Sequence, residues 1–445
     1  MLAAARLLLP LLLAAPLLAQ DAAPVTSPLG PLVGHVAPGS ALLWVRAAPG
    51  AREASVRVGG GEARSVPLQA RGRGFAVLQV DGLVPDRAQE VAVEVPGGPS
   101  GAVRFRTPPP PRAWGKVRFA VGSCAGFSEQ PVWDRIPATD PDFFLWLGDN
   151  CYYRPRRGGG ADWDSVEHML ERQLENRLRP GVLALMRATA CYAVWDDHDY
   201  GPNNCDGSWP LKAESRAVHR MLWANPGWGE DEEGVYFSFR RGPVELFCLD
   251  DRWWKDVREP LPRPERRLYG EKQLAWLKRG LLASDAPVKV IAGGVQQLLG
   301  YPLAEGWSEA REERAAFLAW LGQQAGCERV IFLSGDVHVS ELYRVEVAPG
   351  RFAWELTSSG LAQQNPAPEA FALAKRPERQ WVATTPGMFC VVEVDLPEGR
   401  PLEEGQLLFR CIDAQGAVQA ETRAGLDSFG ATGAPAPGGR DPRRF

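Results

Sequence analysis

The chain is predicted to be an α/β protein, with a layered α/β domain preceded by a small antiparallel β-sandwich. Three features of its 445 residues lead there. Short alternating strands fill residues 24–107, a proline run from Pro108 to Pro111 interrupts them, and apolar strands then alternate with amphipathic helices. Closely spaced strands with Gly and Pro between them suit a sandwich, whereas strand–helix alternation suits a layered α/β domain.

Residues 1–19 read as an export signal. Arg6 supplies the leading charge, Leu7 to Leu18 an apolar core broken by two prolines, and Ala19 a small residue for cleavage. The stretch is shorter than the roughly 20 residues a spanning helix needs, and no later stretch reaches that length. Neither a twin Arg nor a Cys near the cleavage point suggests a specialised route. The expected protein is exported, periplasmic or secreted, with no stable membrane span. Its net charge of −4, without a long basic run, argues against a nucleic-acid patch.

In the sandwich, the predicted strands are Ala41–Arg46, Ala54–Val58, Ala76–Val80, Glu90–Val95 and Val103–Arg106. His35, beside Gly34, reads as structural. Residues 108–115 form a stiff linker.

The second domain, residues 116–424, opens with the strand Val117–Val121, which ends at Gly122-Ser123-Cys124. Phe143–Leu147 is a second strand, ending at Gly148-Asp149-Asn150. Ser165 to Arg179 has helical spacing of Val166, Leu170, Leu174 and Leu178. Tyr192–Trp195 leads into Asp196-Asp197-His198-Asp199. Lys212 to Trp223, Gln273 to Leu282 and Glu309 to Gln324 read as helices, and His168 and His219 are expected on helix surfaces. Val235–Arg240, Val244–Leu249 and Val288–Ala292 read as strands, and Val330–Leu333 ends in Ser334-Gly335-Asp336-Val337-His338. Later strands (Glu341–Val347, Phe352–Leu356, Phe389–Val394, Leu407–Ile412) predict mixed sheets. Residues 425–445, rich in Gly, Pro and Arg, are expected to be a disordered tail. Six cysteines (Cys191, Cys205, Cys248, Cys327, Cys390 and Cys411) are open to pairing or burial.

Four apolar strands thus each end in a polar cluster. A single Asp after a strand is ordinarily a cap or turn residue, but four recurrences at one topological position converge on one crevice. Asp336 and His338 are two apart, so on an extended backbone both point to one side. A thiolate, carboxylates and an imidazole suit a transition metal, and additional carboxylates a hard cation. Tyr152, three after Asp149, adds a phenolate, which favours ferric iron, with Tyr153 the alternative. Two metals sharing a carboxylate would generate hydroxide at neutral pH and neutralise a phosphoryl group. Arg154, Arg156 and Arg157 follow the second cluster, Arg156 being the candidate contact to substrate phosphate.

The segments Phe119–Cys124, Leu147–Tyr153, Trp195–Asn204 and Ser334–His338 together resemble the motifs of the PhoD-like alkaline phosphatases, in the calcineurin-like metallophosphoesterase superfamily. The resemblance spans roughly Lys116 to Ser359 and implies a four-layer αββα core. It further implies a centre of Fe3+ and Ca2+, other divalent metals remaining open, acting on a small phosphate-ester substrate. Carried over by position, Cys124, Asp149, Tyr152, Asp197, Asp336 and His338 would be metal ligands, with Asn203 or Asn204 a further one. Asp149 would bridge the metals and His198 would be the catalytic histidine, while Gln296 stands where the superfamily has a His ligand. The implied activity is hydrolysis of phosphomonoesters, phosphodiesters or both. A non-catalytic binding protein and a phospholipase D-type activity are the rivals.

Overall fold

A computed structural model describes residues 29–126, 131–258, 260–302 and 304–430. The export segment 1–19 and residues 431–445 of the expected tail lie outside the described residues.

The N-terminal unit has strands β1 (Leu32–Ala37), β2 (Ser40–Arg46), β3 (Glu53–Val58), β4 (Arg64–Gly72), β5 (Phe75–Asp81), β6 (Ala88–Glu94) and β7 (Gly101–Arg106). All neighbours are antiparallel, in the order β1-β2-β5-β4-β3-β6-β7. The strand β4 joins the two halves: its first residues pair with β3 and its later ones with β5. Leu43, Val45, Val56, Leu78, Val91 and Val103 fill the interior between them, and the alternate residues of β6 and β7 face solvent. The strands β1 and β4 were not foreseen. Gly34 and His35 interrupt the apolar pattern of the first, and Pro67 that of the second.

Beyond the linker the elements are β8 (Gly115–Gly122), β9 (Phe143–Leu147), α1 (Val166–Arg177), α2 (Pro180–Ala188), β10 (Ala190–Val194), α3 (Asp197–Tyr200) and α4 (Lys212–Leu222). Then come β11 (Phe237–Arg241), β12 (Val244–Cys248), α5 (Gly270–Ala283), β13 (Val288–Ala292), α6 (Arg311–Leu321) and β14 (Val330–Ser334). The series closes with β15 (Ser340–Ala348), β16 (Arg351–Thr357), α7 (Pro368–Leu373), β17 (Arg379–Ala383), β18 (Met388–Leu396), β19 (Gln406–Asp413) and β20 (Val418–Gly425).

These strands form two mixed sheets, β10-β9-β8-β18-β19-β20 and β11-β12-β13-β14-β16-β15-β17. Within them β8, β9 and β10 are parallel, as are β12, β13, β14 and β16. Every residue of β9, β10, β13 and β14 is buried, the condition for an unbroken apolar run in a parallel sheet. One set of faces, with Phe119, Leu145, Val194, Leu246, Val290 and Leu333, shares a single buried cluster. Phe144, Trp146 and Ala193 face the other way, onto Met169, Leu185 and Val218 of α1, α2 and α4. Phe247, Ile291 and Phe332 likewise meet Leu277 of α5 and Phe317 of α6. Each fully buried side chain of this size stabilises the fold by roughly 1.5–3 kcal/mol.

Helix α1 begins where Ser165 accepts a bond from the His168 amide at 3.2 Å, an N-cap. Helix α2 begins with Pro180 in its first turn, where a missing N–H costs nothing. Contrary to expectation, His219 is buried, packed against Trp195, Trp223 and Trp228. Residues 425–430, expected in the disordered tail, are folded, with Leu426 and Phe429 in the core. All eight cysteines are free, and only Cys205 is not fully buried.

The sandwich is fastened to the second domain through β1. The His35 amide donates to Ala224 O at 2.9 Å, and His35 Nδ1 lies 3.2 Å from the Tyr192 hydroxyl. A Cβ at Gly34 would collide with Ala224, so glycine permits this close approach. Among the described residues, no helix is long and apolar enough to cross a membrane.

Candidate metal centre

The parallel strands end side by side, and their loops are knitted by backbone bonds. Cys124 N donates to Gly148 O at 3.4 Å, Ala125 N to Asp149 O at 2.9 Å, and Tyr153 N to His198 O at 2.9 Å. Gly335 N donates to Gly294 O at 2.7 Å, and Ser123 bridges Ser359. Four of the predicted site residues have left-handed backbones: Cys124 (φ 61°), Asp149 (52°), Asp336 (70°) and His338 (55°). Such conformations cost of order 1–3 kcal/mol each and cluster at functional sites.

Two groups of donor atoms result, Cys124–Asp149–His338 and Asp149–Asp197–His198, and within each the donors lie within 4.8 Å of one another. Asp149 belongs to both. The Cys124 sulfur is 3.5 Å from Asp149 Oδ2. The Tyr152 hydroxyl donates to that same oxygen at 2.7 Å and lies 3.1 Å from His338 Nε2. Tyr153 turns the other way, toward Gln173 of α1. The His198 amide donates to Asp149 Oδ1 at 3.2 Å, its ring stacks on Tyr152 with centroids 4.2 Å apart, and its buried Nδ1 has no partner. Asp197 Oδ2 accepts the Asn204 amide at 2.6 Å.

The electrostatics are those of a cation site. Burial pushes the Cys124 thiol up to about 11. Burial, with the neighbouring Cys124 and Asp197, holds the Asp149 carboxyl well above the usual range. Asp336 is pushed up to about 8 by burial and then by Asp196 and Asp197. Among the described residues, no basic side chain forms a salt bridge with Asp149, Asp197 or Asp336. Crowded carboxyls, a thiol and an unpartnered imidazole nitrogen therefore fit bound cations, which would displace the protons that burial retains.

Other expected residues sit differently. Asp336 and His338 do not alternate on a strand: β14 ends at Ser334, and a turn brings His338 to the first donor group. Asp336 lies outside both groups and accepts the Cys124 thiol through its backbone carbonyl at 3.7 Å. Asn203 is exposed and donates to Asn204 Oδ1 at 2.6 Å. Gln296 turns its amide to Glu341 (3.2 Å) and Thr357 (3.1 Å). Arg156 sits apart from the cleft lining, its guanidinium paired with Asp162 at 3.2 Å and Glu171 at 2.6 Å.

A buried scaffold under the centre was missed. Asp199 accepts the amides of Asp149 (3.2 Å), Asn150 (3.3 Å) and Asp196 (2.8 Å), which fixes two strand-end loops together. Arg252, fully buried, donates to Asp196 Oδ1 at 2.7 Å and to both oxygens of Glu305 at 3.1 and 2.9 Å. Lys255 also pairs with Glu305. Asp251 accepts the amides of Gly294 and Val295 at 2.8 and 3.0 Å. The signal was present: Asp250-Asp251-Arg252 follows the strand β12 as the other clusters follow theirs.

The centre opens into a cleft of about 680 Å³ with Asn203, Asn204, Asp336 and His338 on its polar side. Its apolar side includes Tyr301 and, from α7, Ala370 and Phe371. The rings of Tyr301 and Phe371 are 4.2 Å apart. Arg379 ties α7 down by donating to Phe371 O at 2.7 Å and to Glu341 at 3.0 Å.

Parallel strand ends that gather these donors beside an open cleft make a site suited to cations. The chain belongs to the PhoD-like phosphatase family, whose model matches residues 119–391, and it is accordingly a phosphoesterase. Residues 27–108 match a domain of unknown function, DUF7800. The chain is similar to a solved structure of PhoD, at 18% identity over 92% of each chain with a TM-score of 0.72. It is also similar to the purple acid phosphatase PPD1 from yellow lupin (Lupinus luteus) seeds. That likeness is 13% identity over 88% of this chain and 73% of that one, with a TM-score of 0.62. At these identities the likeness is one of fold. No curated protein matches.

Proposed function

We propose that the chain is an exported, metal-dependent phosphoesterase hydrolysing phosphomonoesters, phosphodiesters or both. The observation that carries this is the sharing of Asp149 by two donor groups. Cys124, Asp149, Tyr152 and His338 would hold ferric iron, whose affinity for thiolate, phenolate and imidazole fits that set. Asp149 and Asp197, with Asp336 in their field, would hold calcium through oxygen. Bound cations supply a low pKa for water and neutralise phosphoryl charge. His198, held by its stack on Tyr152 and its amide bond to Asp149, is positioned to pass a proton to the leaving oxygen. The paired sheets with helices on both outer sides support a four-layer αββα core, and residues 1–19 support export.

The test is hydrolysis of p-nitrophenyl phosphate and of its bis ester by the full chain, with metal analysis. Chelation should abolish turnover, and iron plus calcium, but not zinc alone, should restore it. Metal-loaded protein that turns over neither ester would instead favour a binding role. Choline release from lipid without phosphate-ester turnover would favour the phospholipase D-type activity.

A further inference from the structure

A second pocket, of about 380 Å³, adjoins the metal cleft. The two share the lining residues Asn204, Tyr301, Pro302, Ala304 and Glu305. Its far side carries Arg263, Arg266 and Arg311. Arg263 precedes the 310 turn's proline and Arg311 opens α6, so exposed residues 48 apart in sequence line one recess. Neither Arg263 nor Arg311 has an ion-pair partner among the described residues. The two acids in the pocket are already matched from behind: Glu305 by Arg252 and Lys255, and Glu309 by Lys255 at 3.4 Å. The recess therefore offers two cationic forks, while its acids are held by ion pairs to the buried Arg252 and Lys255.

We propose that this pocket binds a second phosphate on the substrate, so that the enzyme prefers esters carrying two phosphate groups. The proposal rests on the phosphoesterase activity and names a substrate class for it. Guanidinium forks match phosphate oxygens in bidentate geometry and remain charged at any working pH. With one phosphate at the metal centre, a second held at Arg263 and Arg311 fixes the orientation of the linking group across Tyr301 and Pro302. Such binding energy raises kcat/KM for the bisphosphate over the matching monophosphate.

The experiment compares fructose 1,6-bisphosphate with fructose 6-phosphate, using the full chain, wild type and Arg263→Ser/Arg311→Ser. In the metal-loaded enzyme the wild type should favour the bisphosphate about tenfold in kcat/KM, on the scale of one charge-assisted contact. The double variant should lose that preference while keeping its kcat/KM for p-nitrophenyl phosphate, and raised salt should erode the preference in the wild type. Titration calorimetry on chelated protein supplies a readout independent of turnover: the wild type should bind the bisphosphate more tightly than the double variant does. Equal handling of the two sugars by the wild type, or a preference that survives in the double variant, overturns the proposal. Absence of turnover on every ester with the calorimetric difference intact would overturn the phosphoesterase activity and leave the pocket standing.

Discussion

The Tyr152 hydroxyl donates to Asp149 Oδ2 at 2.7 Å, placing a phenol against the carboxylate that both donor groups share. Tyr152→Phe keeps the ring on His198 and removes only the oxygen. The variant should lose iron selectively over calcium and lose about 10–100-fold in activity, the scale seen when a group tuning a metal site is removed. Metal analysis with wild-type iron content would assign Tyr152 to packing alone.

The buried Arg252 neutralises Asp196 and Glu305, which are themselves almost fully enclosed. Arg252→Met would strand those carboxylates, a loss of about 3–5 kcal/mol. Urea unfolding should show a clear fall in midpoint. A midpoint equal to wild type would mean that the cluster is already protonated or solvated.

Phe371 and Tyr301 form the aromatic part of the cleft's apolar side. Phe371→Ala should raise KM for aryl phosphates several-fold and leave glycerol phosphate nearly unchanged, because only the former buries a ring there. Equal effects on both substrates would instead implicate the position of α7.

The part of the stability that depends on the two buried histidines should fall on mild acidification. Burial lowers His219 to about 3, and burial together with Arg241 lowers His35 to about 4, against 6.5 in an unfolded chain. Below pH 6.5 the unfolded state takes up protons that the folded state refuses, so stability is fully present above that value and lost progressively toward pH 4. Thermal unfolding followed from pH 7.5 to 4.5 should show this, and H219Q should flatten the slope. An unaltered slope in the variant would exclude His219 as a source.

The strands β9, β10, β13 and β14 were readable because both their faces are buried: their residues are apolar except Lys289 and Ser334, and polar clusters follow three of them. The strand β20 was not, since none of its residues is buried and half are polar, and Pro180-Gly181 disguised the start of α2. The convergence of Cys124, Asp149, Asp197, His198 and His338 follows from topology, so position along the chain sufficed to suggest it. The extended geometry assumed for Asp336 and His338 failed because left-handed backbone is invisible in a string of letters. Arg252 and Glu305, 53 residues apart, meet only after folding. Arg156 looked available because its partners Asp162 and Glu171 lie in segments that gave no sign of turning back on it.

The strand β10 closes one end of its sheet, and β1 packs against it, with His35 Nδ1 and the Val36 amide each 3.2 Å from the Tyr192 hydroxyl. Unpaired amides and carbonyls along such a border invite other chains to add on. Asn225 caps both backbone groups of Ala193 on this border, and the sandwich, which contributes no donor to either metal group, should shield the rest of it. A fragment of residues 115–430 should self-associate, with light scattering rising steeply with concentration, whereas the whole chain stays dispersed.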